Sequence, residues 1–172
     1  MKEVAPIRRN MAVRTFFNML GPMVNPAFPK GQLVGVFSLE LQRYYKYLYE
    51  ESSIEYRIVH ALDGYDEISL TGDVKLISPE KEELLSPYQL SEKQLNPTAI
   101  SGGNTVESSA KIFVEILKGK GTQAQNAVVI ANSAMAIHTA FPNKTREDCR
   151  EIAIESLRSG KANQVFNKLL TL

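Results

Sequence analysis

Apolar residues recur along this chain with two different periods, and the switches between them mark out its elements. Residues 32–37, Gln-Leu-Val-Gly-Val-Phe, form a short apolar run rich in β-branched side chains, bounded by turn residues. Such a run predicts a buried strand. Ser38 then stands where a helix cap belongs, and Leu41, Tyr44, Tyr45 and Leu48 recur at helical spacing, which predicts a helix over 39–51 with those four on one face. Residues 55–62 return to strand character. Strand, helix, strand in that order predicts a parallel pair joined by a right-handed crossover. Two shorter strands are expected at 67–70 and 74–77, with Thr71-Gly72-Asp73 as the hairpin turn between them.

Residues 79–103 hold Pro79, Pro87, Pro97 and Gly102-Gly103 and read as connection, with one edge strand near 83–85. Beyond them the period is helical. Asn104 with Glu107 has capping-box character, and Val106, Ala110, Phe113, Val114 and Leu117 line one face before Gly119. Thr122 with Gln125 opens a second helix, apolar almost all round to Ala140 and interrupted only by polar residues such as Asn132 and Ser133, which implies burial. Thr145 with Asp148 opens a third, running to about Ser159, and Ala162, Val165, Phe166, Leu169 and Leu170 define a last amphipathic helix. Ahead of all this, residues 8–19 are compatible with a helix, followed by a proline-rich path through Pro22, Pro26 and Pro29. The class is α/β: a partial parallel sheet with a strand-helix-strand start, short hairpin strands and a carboxyl-terminal run of about four helices.

Composition narrows the function. The 172 residues are 44% apolar and 23% charged, enough for one domain with a real core. Twenty basic against 19 acidic side chains leave +1, and no long run of like charge gives a grip on nucleic acid or an anionic membrane. No apolar run approaches the roughly 18 residues of a membrane span. The single Cys149 and the absence of an apolar leader fit a reducing cytoplasm. Cys149 shares a helical face with Ile152, Ala153, Ser156 and Leu157 and reads as a buried, inert thiol. Partners are therefore small molecules or another protein chain.

Two places carry chemistry. Asp66-Glu67 follows a strand and an Asp63-Gly64 turn, and adjacent loop carboxylates suit Mg²⁺, a hard cation that takes one or two carboxylates and prefers phosphate oxygens for the rest. On spacing alone such a pair is weak evidence, since adjacent acids in a loop are usually solvated surface. Asp63 is sufficiently explained by closing the turn. Arg8 offers a fork able to bind a carboxylate bidentately, although an arginine so near a terminus is ordinarily a capping or surface residue. His60 within a strand and His138 within an apolar helix have no metal-ligand neighbours in sequence and read as satisfied packing histidines.

The stretch Arg8-Arg9-Asn10-Met11-Ala12-Val13-Arg14-Thr15-Phe16-Phe17-Asn18-Met19-Leu20-Gly21-Pro22, followed by Val24-Asn25-Pro26, resembles the R-x-x-[LM]-[GA]-[VI]-R-T-x-F-N-x-L-G-P-x-x-N-P run of anthranilate phosphoribosyltransferases. Gly64-Tyr65-Asp66-Glu67-Ile68 is similar to the same family's G-x-D-E-[IVL] segment. The departures, Asn10 and Met11-Ala12, are small. The resemblance implies a fold akin to that of pyrimidine nucleoside phosphorylases, and transfer of a phosphoribosyl group from phosphoribosyl pyrophosphate to anthranilate in tryptophan biosynthesis. It further implies Mg²⁺ on Asp66 and Glu67, the anthranilate carboxylate on Arg8, and Ala5 and Gly21 as walls of the anthranilate site. In the family this run lies mid-chain, after a helical region and a G-T-G-G-D phosphate loop. Residues 1–172 are thus expected to be the carboxyl-terminal part of the α/β domain, without the upstream helical region or phosphate loop. That expectation makes the chain inactive by itself and a homo-oligomer through an interface foreign to the family. The rival reading is a stand-alone, non-catalytic binding protein sharing the transferase fold.

Overall fold

The computed structural model describes residues 21–91 and 93–172. The helix expected over 8–19 lies outside them. Past a single 3-10 turn at Gly21–Val24, the chain enters strand β1 (Gly31–Gly35), helix α1 (Leu39–Glu50) and strand β2 (Glu55–Ala61). β1 and β2 are parallel, with Val34 opposite Ile58, as the strand-helix-strand order requires. Ser38 caps α1, its hydroxyl accepting from the Leu41 amide at 3.2 Å.

The second half of the sheet departs from expectation. Residues 67–70 form no strand, and Thr71-Gly72-Asp73 is no hairpin turn. The antiparallel pair is instead β3 (Val74–Ile77) with β4 (Glu82–Leu85), and β3 also runs antiparallel to β2, giving the order β1-β2-β3-β4. Two facts defeat the strand at 67–70. Leu70 lies in the left-handed region at φ 60, and Ile68, Ser69 and Leu70 are all buried, so the alternation of a half-buried strand never arises. The edge strand expected at 83–85 is β4.

Short helix α2 (Pro87–Leu90), unforeseen in the sequence, precedes a 3-10 turn at Pro97–Ile100. Four helices follow as expected: α3 (Val106–Leu117), α4 (Gln123–Ala140), α5 (Arg146–Arg158) and α6 (Lys161–Leu169). α3 is capped by Thr105 with Ser108, one residue along from the anticipated Asn104 and Glu107.

The sheet separates two cores. Tyr56 and Ile58 of β2 face α1, where they meet Val34, Leu41, Tyr45 and Tyr49. Val59 and Ala61 face α4 and meet Leu76, Leu85, Ala131 and Met135. Each fully buried aliphatic side chain here contributes about 1.5–3 kcal/mol. The buried face of α1 is rotated from the anticipated one. Tyr44 and Leu48 are exposed, while Gln42 is buried, because its amide donates to the carbonyls of Ile58 and Lys75 at 2.9 Å each and so stitches helix to sheet. α5 packs on α4, burying Cys149, Ala153 and Leu157. Burial pushes the Cys149 thiol above its ordinary range, as an inert thiol requires.

The two sheet edges differ. β4 is covered with charge, Glu82 pairing with Lys46 and Lys75, and Glu83 with Lys81 and Arg146. β1, Gly-Gln-Leu-Val-Gly, carries no charge and among the described residues pairs on one side only. No helix of the described residues is long and apolar enough to cross a membrane.

Candidate functional site

The carboxyl ends of β1 and β2 point the same way, and the acid-bearing loop, residues 62–73, leaves the sheet there. Crevices at that end of parallel strands are where open α/β sheets hold ligands. The loop is tied to the fold at several points. Gly64 takes φ 103 to make the turn, and the Leu62 amide donates to the Asp73 carbonyl at 2.8 Å. Asp63 does more than close that turn, since its carboxylate accepts from the hydroxyls of Ser69 and Thr71, and the Thr71 amide in turn donates to Ser69 Oγ at 3.2 Å. The carbonyls of Leu70 and Thr71 accept from the Leu95 amide at 2.8 Å and from Gln94 Nε2 at 2.6 Å.

Two further contacts come from distant elements. Asn132 of α4 grips Ile68 with both ends of its amide, Oδ1 accepting from the Ile68 N–H at 3.0 Å and Nδ2 donating to the Ile68 carbonyl at 2.8 Å. At the end of β1, a Cβ on Gly35 would lie 1.6 Å from the Asp66 carbonyl oxygen, so the loop rests directly on bare backbone. Sequence reasoning passed over both residues. Their signals were present: a glycine inside a β-branched strand, and an asparagine interrupting an apolar helix.

Within this held loop Asp66 and Glu67 are exposed and make no hydrogen bond or ion pair with the described residues. No group of three metal-ligating side chains occurs among the described residues. The pair fits Mg²⁺ in donor chemistry, since two hard carboxylates with no competing partner among the described residues leave the remaining positions to water and phosphate oxygens. Gly21 opens the 3-10 turn and is exposed, with nothing within 4 Å of where a Cβ would stand. Arg8 and Ala5 lie outside the described residues, so of the expected site residues only Asp66 and Glu67 are seen side by side.

Neither histidine joins a group of three metal-ligating side chains among the described residues. His60 Nδ1 lies 2.8 Å from the Val36 carbonyl and ties the loop after β1 to β2. His138 lies under α5 in charged surroundings, with Arg57, itself 3% exposed, the Arg146–Glu83 ion pair and Glu80 nearby. Its Nδ1 is buried without a hydrogen-bond partner among the described residues. Burial first, then the guanidiniums of Arg57 and Arg146, hold its pKa below the ordinary 6.5. The folded state therefore prefers the neutral ring, and stability is lost as pH falls below 6.5 toward the folded pKa. Thermal melts between pH 7.5 and 5 should show a fall in Tm that His138→Gln flattens; an unchanged slope in that variant would assign the fall to other groups.

Comparison with known proteins places this geometry. Residues 1–163 match the pattern of the glycosyl transferase family, a/b domain. The chain is 58% identical over 172 residues to the anthranilate phosphoribosyltransferase of Christiangramia forsetii and 56% to that of Flavobacterium psychrophilum, covering 100% of itself and 52% of each. It thus spans about half the length of these relatives. Among solved structures, the anthranilate phosphoribosyltransferase of Thermus thermophilus superposes with a TM-score of 0.87 at 29% identity, over 98% of this chain and 50% of that one. The Saccharomyces cerevisiae enzyme in complex with PRPP and Mg superposes at 0.85 and 24% identity, over 95% and 47%. A match across residues 1–163, on a sheet whose acid loop stands at the carboxyl ends of its parallel strands, means that the chain belongs to the glycosyl transferase family, as its a/b domain.

Proposed function

We propose that this chain is the carboxyl-terminal part of an anthranilate phosphoribosyltransferase and carries its metal-pyrophosphate face. The observation that bears most weight is the pair of carboxylates, Asp66 and Glu67, unpartnered among the described residues, on a loop fixed at the carboxyl ends of β1 and β2. A yeast relative of the same fold was solved with PRPP and Mg, and others with 4-fluoroanthranilate, which supports the choice of substrates. When bound, Mg²⁺ would offset the charge gathering on the departing pyrophosphate. Asp66 and Glu67 would hold it there, Arg8 would orient the anthranilate carboxylate, and Ala5 and Gly21 would shape the slot for the ring. The anthranilate amine attacks the ribose carbon, pyrophosphate leaves with the bonding pair, and the amine gives up a proton. Positioning supplies most of what such a step needs.

The 172 residues contain no G-T-G-G-D segment, so this stretch by itself transfers no phosphoribosyl group. Its uncharged β1 edge and the exposed apolar residues Val106, Phe113, Val165 and Leu169 of α3 and α6 favour self-association. A complementation assay tests both points. The purified chain alone should leave anthranilate fluorescence unchanged and sediment as an oligomer. Mixed with the half of the Christiangramia forsetii relative that it does not match, it should form a mixed complex and consume anthranilate. Turnover by the chain alone near a full-length rate, or a well-formed mixed complex without activity, would overturn the proposal, the latter in favour of a non-catalytic binding protein.

A further inference from the structure

We infer that Asn132, at the middle of α4, is a positioning residue for the acid pair: by holding Ile68 it sets where the carboxylates of Asp66 and Glu67 stand. The inference rests on the proposal that those acids hold a metal-pyrophosphate.

Its basis is the way the loop obtains its shape. Asn132 takes both the amide and the carbonyl of Ile68, at 3.0 and 2.8 Å, as a neighbouring strand would, across 64 residues of chain. A third bond, from Nδ2 to the Val128 carbonyl at 3.0 Å, fixes the side chain on its own helix. Ile68 is fully buried, so the residue directly following the acid pair is immobilised by both its side chain and its backbone. The loop does not adopt this path by local preference. Leu70, two residues on, sits at φ 60, a conformation that costs a residue with a Cβ about 1–2 kcal/mol and persists only where surrounding contacts impose it. Asp66 and Glu67 contribute nothing to that imposition, being exposed and unpartnered among the described residues. The division is that of a ligand pair and its supports: the acid side chains pair with nothing among the described residues, and the backbone around them is met by Asn132 and Gly35.

The role needs both a donor and an acceptor on this side chain. Aspartate keeps the acceptor for the Ile68 N–H but loses the donor and sets a carboxylate against the Ile68 carbonyl. Leucine keeps the branched outline, at a somewhat larger volume, and loses both bonds to Ile68.

The test uses Mn²⁺ with inorganic pyrophosphate, added to the full 172-residue chain, and reads paramagnetic broadening of the Ile68 and Ser69 amides by NMR. Wild type should broaden there. Asn132→Leu, still folded by its β1–β3 amide shifts, should need about ten- to a hundredfold more Mn²⁺-pyrophosphate for the same broadening. Asn132→Asp should fall between the two and decides the matter if the leucine variant fails to fold. A contact that merely stabilised the fold would lower Tm and leave the midpoint of broadening unchanged. Folded variants that broaden like wild type would overturn the role of Asn132 while leaving the acid pair as ligands. Absence of broadening in wild type would overturn both.

Discussion

Changing Asp66 to Asn and Glu67 to Gln together should lower phosphoribosyl transfer by the complemented enzyme about a hundred- to a thousandfold, the scale of losing charge stabilisation where it develops in the transition state. The same double variant should melt within about 1–2 °C of wild type. Both side chains are exposed and pair with nothing among the described residues, and exposed substitutions of this kind stay within about 0.5 kcal/mol. The separation of the two readouts is what identifies a ligand. Initial rates over a Mg²⁺ titration, beside a thermal melt of the same sample, provide the check. Unchanged turnover with unchanged Mg²⁺ dependence would return the pair to solvated surface.

Gly35→Ala is expected to damage both readouts, for a steric reason. A methyl there would stand 1.6 Å from the Asp66 carbonyl oxygen, less than half an ordinary contact, and the obstacle is backbone, which cannot rotate away. Strand and loop must separate by more than an ångström. Overpacking of this sort costs about 1–3 kcal/mol, seen as several degrees of Tm. The displaced atoms belong to Asp66, so transfer by the complemented enzyme should fall as well, although Gly35 touches no reacting group. Gly102→Ala is the control, since nothing lies within 4 Å of its added carbon and its φ is not positive. Equal melting of the two variants would mean that the loop yields at little cost.

The parts of this fold that one short segment determines were legible in the sequence. The parallel pair follows from a β-branched run, an amphipathic helix and a second strand in order, and Thr122 and Thr145 cap α4 and α5 where their spacing places them. What could not be read depends on partners far along the chain. Residues 67–70 look like a strand because Ile68 and Leu70 alternate with polar neighbours. The polar neighbour Ser69 is itself buried against Asp63, and the amide of Ile68 is claimed by a helix. Gln42 sits among polar residues of α1 and turns inward because two sheet carbonyls await it. The acid pair itself came from its motif, whereas Gly35 and Asn132 show only as interruptions of a strand and of an apolar helix, and nothing local says which distant backbone each one meets.

The reliance of the acid loop on Asn132 also fixes when, during its life, the molecule acquires that loop. Sixty-four residues separate Ile68 from the side chain that holds it, and Leu70 will not keep a left-handed backbone unaided. As the chain emerges during synthesis, β1, α1 and β2 are complete and able to pair while α4 is still unmade. Throughout that interval the backbone of Ile68 lacks the side chain that takes its amide and carbonyl in the folded structure. The arrival of α4 does two things at once: it covers one face of the sheet and supplies the side chain that holds Ile68, so the loop's backbone should become fixed late and in one step.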